Sequence, residues 1–220
     1  NNLIDLIKTT SETPSYSEYD VVLSTGEQVT SALLATALNN LNVKARSWLG
    51  WQVPIISDKS HSKAVIEEIK TENVLEFLEK NQVAIISGFQ GVSKQNRITT
   101  LGRGGSDTSA VAIAAAFSAE RCDIYTDVDG VYTTDPRIVK SAKKLNLITY
   151  EEMLELASQG AKVLQTRSVA LAMKYDVKLR VLSSFEDLPG TAIIKEGKNM
   201  EKTEISGIAH SLNEAKITLS

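Results

Sequence analysis

The hydrophobic positions along this chain follow two kinds of spacing, one typical of helices and one typical of buried strands. Helical spacing occurs over 26–41, 62–79, 106–119, 150–158 and 160–175. Short continuous apolar runs, typical of strands covered on both faces, occur over 43–49, 83–87, 123–126 and 178–183. Because strands and helices alternate from residue 20 to residue 183, the sequence predicts an α/β fold. We expect a three-layer α/β/α sandwich around a mainly parallel central sheet.

Two of the predicted helices begin with a charged residue. Glu27 lies at the predicted start of the first helix, where the helix dipole favours a carboxylate with or without a function. Lys162 also lies at a predicted helix start, where a cation is unfavourable unless an anion such as phosphate accompanies it. The first helix has an apolar face that we expect to pack into the core. The members of that face are Val29, Leu33, Leu34, Ala37 and Leu38.

Composition and charge narrow the possible partners. The chain has 220 residues and a net charge of −3, and its lysines and arginines are scattered among acidic residues. Nucleic-acid binders usually carry a basic stripe, so no nucleic-acid partner is expected. The longest apolar run, 110–117, is too short to cross a membrane, and no membrane partner is expected either. A single cysteine, Cys122, favours a reducing compartment. His61 and His210 lack metal-ligand spacing, and we interpret both as surface residues.

A glycine-rich loop precedes the helix predicted over 106–119. It contains glycines at positions 102, 104 and 105, which allow the backbone to approach a ligand closely. The N–H groups at the start of the following helix favour an anion. Arg103 lies between the glycines, and its planar guanidinium suits a carboxylate or a phosphate. A flexible loop before a helix capped by Ser106 or Asp107 would give the same pattern, so both interpretations stay open.

A second polar loop, over 125–137, follows a predicted buried strand and therefore lies at the carboxyl edge of the sheet. Ligands of open α/β folds bind at that edge. Asp127 and Asp129 are candidates to hold a ribose, an adenine or a metal ion. Tyr132 offers a surface on which a base can stack, and Arg137 supplies a cation. The turn chemistry of aspartate and glycine explains single residues of this loop equally well.

Several stretches of the chain resemble the aspartate kinases of the amino-acid kinase family. They are 24–27, 87–91, 99–110, 125–137, 150–157, 160–164 and 180–185, and they occur in the order typical of the family. The resemblance implies an amino-acid kinase catalytic domain over 1–194, incomplete at its amino end. It also implies that 195–220 form a linker and the start of an ACT-like regulatory domain.

The resemblance implies a reaction and the groups that take part in it. The reaction is ATP-dependent phosphorylation of the side-chain carboxylate of L-aspartate to 4-phospho-aspartate, the first step towards lysine, threonine, methionine and, in bacteria, diaminopimelate. We expect a cytoplasmic transferase that uses ATP and Mg²⁺ and forms a homo-oligomer at full length. A carboxylate with a pKa near ~4 is already ionised at neutral pH, so no general base is required. Catalysis would then consist of positioning and charge neutralisation.

The resemblance also implies roles for individual residues. Glu27 would hold the substrate ammonium, and Arg103 would clamp the α-carboxylate. The substrate-binding set further includes Phe89, Gly104, Gly105 and Ser106. Arg103, Asp107 and Lys162 form the catalytic set. ATP would be surrounded by Tyr125, Thr126, Asp127, Val131, Tyr132, Thr133, Thr134, Asp135, Pro136, Arg137 and Lys162. No residue is assigned as a metal ligand.

The sequence departs from the family pattern at its beginning. The family begins with a Lys-Phe-Gly-Gly-Thr-Ser strand and loop that reach the β- and γ-phosphates, and nothing in this sequence matches them. Removing a group that stabilises developing charge typically reduces the rate ~10²–10³-fold. We therefore expect a polypeptide with only these residues to be inactive or nearly so.

Two other classes of function remain open on sequence grounds. One is a kinase of the same fold that acts on glutamate, carbamate or a nucleoside monophosphate. The pairing of Glu27 with Arg103 argues against nucleotide acceptors, because a zwitterionic acceptor needs one charge of each sign. The other is a non-catalytic nucleotide-binding module, which would bind ATP without aspartate-dependent turnover.

Overall fold

A computed structural model of the chain describes residues 2–160, 163–196 and 207–208. The chain divides into two compact units, Asn1–Ser118 and Ala119–Ser220. This boundary lies inside the catalytic domain predicted over 1–194. The predicted linker and regulatory segment, 195–220, falls mostly outside the described residues, so the predicted domain division stays a prediction.

The first unit contains four helices and six strands among its described residues. They are α1 (Asn2–Thr10), α2 (Tyr16–Asn40), β1 (Ala45–Trp48), β2 (Ile55–Ser57), β3 (Ile66–Ile69), α3 (Glu72–Leu78), β4 (Val83–Ile86), β5 (Gln90–Ser93), β6 (Ile98–Thr100) and α4 (Gly105–Ala116). Strands β1 and β4 pair in parallel, and a second sheet has the order β3-β2-β5-β6. The core is built around Trp48, Val53, Ile55 and Val74. Trp48 packs edge-to-face on Phe77, with ring centroids 5.7 Å apart.

The second unit is built on one four-stranded sheet. Its elements are β7 (Cys122–Thr126), β8 (Leu147–Thr149), α5 (Tyr150–Ser158), α6 (Thr166–Tyr175), β9 (Leu179–Ser183) and β10 (Thr191–Ile194), with the strand order β7-β9-β10-β8. Thr149 and Glu152 form the capping box at the start of α5. Four of the seven strand pairs formed by described residues in the two units are parallel, which agrees with the α/β prediction.

Helix α2 differs from its prediction in both its start and its buried face. It begins at Tyr16 and continues through Gly26, where the methyl group of Leu3 in α1 packs over the glycine. Its buried residues are Asp20, Ser24, Ser31 and Ala35, whereas Val29, Leu33, Leu34 and Ala37 of the predicted core face are exposed and Leu38 is half-buried. The helix therefore packs on β1 and β6 largely through polar side chains.

Length and composition alone would allow α2 to cross a membrane. Its position in the fold gives a different explanation for these properties, because its fully buried Asp20 faces the strand β6 of the same unit. An aspartate placed in this way belongs to the interior of a folded domain.

The helix predicted over 62–79 is wrong in its first half. Residues Ile66–Ile69 form β3, which pairs antiparallel with β2, and only Glu72–Leu78 are helical. Two isoleucines three positions apart fit a helix face, but the free edge of β2 pairs with this segment as a strand. Tertiary pairing thus overrides the local period.

Candidate functional site

One face of α2 bonds to the ends of three strands through polar side chains and one main-chain carbonyl. Positions 20, 24, 27 and 31 recur at the spacing of a single helix face. Asp20 accepts a hydrogen bond from the Thr100 hydroxyl at the end of β6 (2.6 Å). The Ser24 carbonyl accepts one from the Gln90 amide of β5 (3.2 Å), and the Ser31 hydroxyl bonds that of Ser87 after β4 (2.7 Å). Glu27 belongs to the same face.

Glu27 lies in the middle of α2 and not at its start. The helix dipole therefore does not explain a carboxylate at this position. The side chain is half-buried, and its main-chain carbonyl accepts a bond from the Ser87 hydroxyl (3.4 Å). Burial raises the pKa of Glu27 above its ordinary value of 4.5, and a hydrogen bond from its own backbone opposes this effect only in part. A partly desolvated carboxylate of this kind favours a cationic ligand.

The segment after β4 brings Phe89 against the start of α4. Phe89 has a φ of +65°, its N–H donates to the Ser109 hydroxyl (3.1 Å), and its carbonyl accepts from the N–H of Leu101 (2.9 Å). A Cβ at Gly105 would lie 2.8 Å from the Phe89 ring and 2.9 Å from the side chain of Leu101. Only glycine therefore allows Phe89 to approach the first turn of the helix.

The glycine-rich loop ends in a helix start that no side chain caps. The N-cap is Gly104, with a φ of +68°, and the helix begins at Gly105, so the prediction of Ser106 or Asp107 as the cap is wrong. A left-handed residue at this position favours glycine over either side chain. Ser106 is exposed, and Asp107 lies half-buried in the first turn. The exposed Arg103 makes no hydrogen bond or ion pair within 2–160, 163–196 and 207–208.

These contacts link the residues predicted to bind the amino acid, all of which lie in the first unit. Glu27 contacts Ser87, the chain continues to Phe89, and Phe89 contacts Gly105 next to the Arg103 loop. The predicted nucleotide residues all lie in the second unit. Lys162, predicted to contact ATP and to take part in catalysis, falls outside the described residues.

The carboxyl end of β7 presents three of the predicted nucleotide residues. Tyr125 is exposed, and the Thr126 carbonyl accepts a bond from the N–H of Ser184 after the neighbouring strand β9 (2.8 Å). Asp127 is also exposed and accepts a bond from the Thr126 hydroxyl (3.1 Å). A solvent-facing aromatic ring and a carboxylate therefore lie where parallel strands β7 and β9 end.

The rest of the second loop is held largely by its own contacts. Asp129 accepts bonds from the Tyr132 hydroxyl (3.0 Å) and from Lys144 (3.1 Å). Burial would raise the pKa of Asp129, but these two bonds, the positive charge of Lys144 and a backbone hydrogen bond together hold the pKa below its ordinary value. Asp129 thus stabilises the loop, and its hydrogen bonds also fix the outer edge of the Tyr132 ring.

The remaining predicted nucleotide residues differ in how accessible they are. Val131 is buried, and its N–H donates to the Thr191 hydroxyl (2.8 Å), so it offers a ligand little side-chain surface. Arg137 and Asp135 form a two-bond pair (2.8 and 3.0 Å) around the exposed Pro136. Thr133 and Thr134 are half-buried. Within the described part of the chain, no group of three or more His, Cys, Asp or Glu side chains is placed to hold a metal ion.

Sequence reasoning missed the residues that hold α2 in place. His61 is not an ordinary surface residue, because its ring nitrogen lies 2.8 Å from the buried carboxylate of Asp20. Gln90 is fully buried and joins α2 to β5 through Ser24 and Gln28. The regular spacing of polar residues along α2 indicates this arrangement. The leucines on the opposite face have the same helical spacing, so the sequence alone predicts them as the buried face. His210 lies outside the described residues.

Comparisons with known proteins identify the family of this chain. The sequence model of the amino acid kinase family matches residues 2–183. An aspartate kinase of Pseudomonas fluorescens is 56% identical over 222 aligned positions, and the alignment covers 100% of this chain and 54% of that protein. An aspartokinase of Rickettsia felis is 54% identical over 205 residues, 93% of this chain and 51% of that protein. The chain thus spans about half the length of the curated relatives it matches.

A solved structure gives the same result for the fold. The crystal structure of E. coli aspartokinase III in complex with aspartate and ADP superposes with a TM-score of 0.81 at 33% identity, covering 90% of this chain and 45% of that chain. The predicted resemblance and the predicted fold class are therefore both confirmed. The match over 2–183 and the shared fold together show that this chain belongs to the amino acid kinase family.

Proposed function

We propose that the full-length protein transfers the γ-phosphoryl group of ATP to the side-chain carboxylate of L-aspartate. The observation that carries this proposal is that the first unit contains both Glu27 and Arg103, one charge of each sign. One is a partly desolvated carboxylate and the other an exposed guanidinium, and the Ser87–Phe89–Gly105 contacts connect them. The aspartate kinase names of the curated relatives support the same reaction.

The first unit would bind the amino acid. Glu27 accepts hydrogen bonds from the substrate ammonium, and the fork of Arg103 holds the α-carboxylate in two bonds. Phe89 forms one wall of the site. The N–H groups of Gly104, Gly105 and Ser106 at the uncapped start of α4 favour an anionic group.

The second unit would bind ATP at the carboxyl end of β7. Tyr125, Thr126 and Asp127 face the nucleotide there, together with the loop 131–137 and Lys162. In kinases Mg²⁺ is usually bound by one or two carboxylates plus the substrate phosphates. The exposed carboxylate of Asp127 fits that need better than Asp129, which already binds Lys144. When bound, Mg²⁺ would neutralise charge on the phosphates.

The acceptor chemistry requires little of the protein beyond orientation. The substrate carboxylate is ionised at neutral pH, with a pKa near ~4, and attacks phosphorus without losing a proton. Arg103 holds the acceptor, Asp107 orders the first turn of α4, and Lys162 supplies positive charge for the transferred phosphoryl group. Positioning and charge stabilisation are the main contributions to phosphoryl transfer in kinases generally.

The proposal is tested by following ADP release from the full-length protein with a panel of acceptors. We expect turnover with L-aspartate and little with glutamate, carbamate or uridine monophosphate. Turnover with one of the other acceptors but not with aspartate would identify that acceptor as the substrate and contradict the proposal. Binding of ATP without turnover for any acceptor would identify a nucleotide-binding module and contradict the proposal.

Location and assembly also belong to the proposal. We expect the full-length protein to be cytoplasmic, as suits soluble biosynthetic work, and to form a homo-oligomer. Cell fractionation and light scattering of the purified protein measure these two properties directly.

A further inference from the structure

The carboxylate of Asp20 is fully buried in the first unit, although it lies outside both proposed ligand sites. Its two oxygens make six hydrogen-bond contacts with described residues. The partners are His61 Nδ1, the N–H and hydroxyl of Ser62, and the N–H and hydroxyl of Thr100. Five donor groups from two separate segments thus converge on one side chain of α2.

Burying a carboxylate raises the free energy of the folded state unless its lone pairs accept hydrogen bonds, because the group loses its hydration. Here the compensation comes from two separate segments, the loop that carries His61 and Ser62 and the end of β6 that carries Thr100. The Asp20 cluster, formed by Asp20, His61, Ser62 and Thr100, therefore fixes three segments relative to one another. These segments are α2, the loop before β3 and the end of β6.

Two of these segments, α2 and the end of β6, lead directly to a proposed substrate-binding side chain, and the loop before β3 contacts the segment between Thr100 and Arg103. Glu27 follows Asp20 by seven residues, which is about two turns of the same helix and returns to the same face. Arg103 follows Thr100 by three residues. Between them Gly102 lies against the Ser62 carbonyl so closely that a Cβ would be 2.6 Å from that oxygen. The cluster thus holds the Arg103 loop both at its beginning and along its backbone.

We propose that Asp20 is a positioning residue that sets the distance between the carboxylate of Glu27 and the guanidinium of Arg103. Its role is to match this distance to the ammonium and α-carboxylate of one amino acid. This inference rests on the proposed function, since it gives both charged groups a common substrate. Asp20 itself touches no ligand, and it acts through α2 and the Arg103 loop.

Kinetic constants of the full-length protein test this inference. Asp20→Asn removes the charge that gathers the five donors, and we expect the KM for aspartate to rise between about ten- and a hundredfold. The KM for ATP should stay within about twofold. Thr100→Val, which keeps the side-chain shape but lacks the hydroxyl, should shift the same constant in the same direction. Thr100→Ser, which retains the hydroxyl, should have a KM for aspartate close to that of the unsubstituted protein.

A matched control lies next to Thr100 on the same strand. Thr99 is equally buried, but its hydroxyl bonds Ser57 (2.5 Å) on β2 and not α2. Thr99→Val should lower the melting temperature about as much as Thr100→Val and leave the KM for aspartate unchanged. Faster hydrogen exchange of amides 101–105 in Asp20→Asn should accompany the kinetic effect.

Two results would overturn the inference. One is a folded Asp20→Asn enzyme whose KM for aspartate matches the native value, and the other is an equal rise of both KM values in Thr100→Val. If Asp20→Asn does not fold, the Thr100 variants decide alone. Failure of the proposed function is distinct from either result, because the unsubstituted protein would then show no aspartate-dependent ADP release.

Discussion

Glu27 shows how one side chain can favour ligand binding while it disfavours folding. Because burial raises its pKa above the unfolded value, the ionised form is less stable in the folded chain than in water. The folded state therefore loses stability relative to the unfolded state as the pH rises from 4.5 through the folded-state pKa of Glu27, and the loss is complete above that pKa. The ammonium of a bound amino acid would reverse this effect.

Glu27→Gln should therefore raise stability and weaken substrate binding together. We expect a higher melting temperature at pH 8 than for the unsubstituted protein, and a difference that disappears below pH 4.5, where an ordinary glutamate is protonated. The KM for aspartate should rise about ten- to a hundredfold, because a hydrogen bond to a charged group is lost. The control is Glu18→Gln, an exposed position on the same helix. A lower melting temperature at pH 8 for Glu27→Gln would contradict the argument.

Arg103→Lys should weaken aspartate binding far more than ATP binding. A lysine keeps the charge but cannot reproduce the two parallel bonds of a guanidinium, so we expect the Kd for aspartate to rise at least about tenfold. Isothermal titration with each ligand measures both effects separately. Arg97→Lys, at another exposed arginine of the first unit, should change neither affinity. Equal losses for both ligands would rule out the assigned role.

At the scale of single residues, the sequence identified Arg103 and missed the residues that support its loop. Arg103 could be identified because it lies between glycines before a helix, a local pattern that has chemical meaning. Asp20 and His61 could not, because their importance arises from a contact between positions 41 residues apart in sequence. Such a contact leaves no trace in the local spacing of either residue.

Among the elements, α2 and α4 show where hydrophobic periodicity succeeds and fails. The pattern identified α4 within three residues of each end, because apolar side chains there follow a defined loop. On α2 the pattern placed the leucines inside, whereas the interior side is formed by Asp20, Ser24 and Ser31. Polar residues that bond to strand ends replace the usual apolar stripe, and periodicity alone cannot distinguish the two sides.

Two glycines in these helices should respond to alanine in opposite ways. At Gly105 a Cβ would meet Phe89 and Leu101 below 3.0 Å, so Gly105→Ala should destabilise the protein by about 1–3 kcal/mol and raise the KM for aspartate. At Gly26 the nearest atom is 3.6 Å away, and Gly26→Ala should stabilise by about 0.5–1 kcal/mol through helix propensity. Denaturant unfolding measures both. Stabilisation by Gly105→Ala would show that Phe89 does not pack as described.

For the molecule as a whole, the residues predicted to bind aspartate lie in the first unit, and those predicted to bind ATP lie in the second. The family and fold class could be predicted from motifs spread over both units, because each motif is local. The boundary after Ser118 could not, since it falls between α4 and β7 without a proline-rich or glycine-rich linker. The expected inactivity of a polypeptide with only these residues stays a prediction.

Hydrogen exchange on the full-length protein should separate the two ligands by unit. Aspartate should slow exchange of amides in 87–90 and 102–107, whereas an ATP analogue should slow those in 125–137. At a ligand concentration 100 times its Kd, the protection should reach about 100-fold. Protection of 125–137 by aspartate alone would contradict the assignment of the ligands.

The inverted polarity of α2 has a consequence for attempts to engineer this protein. A computational redesign that rewards aliphatic interiors and hydrophilic exteriors would exchange the inward serines for leucines and the outward leucines for glutamates. Each exchange would improve the score of the redesign. It would also remove the hydrogen bonds that the Ser31 hydroxyl makes with Ser87 and that the Ser24 hydroxyl accepts from the Gln28 amide. Directed evolution of this scaffold therefore has to screen for the proposed activity from the first round, because a screen for expression yield and solubility alone would select variants that have lost these bonds.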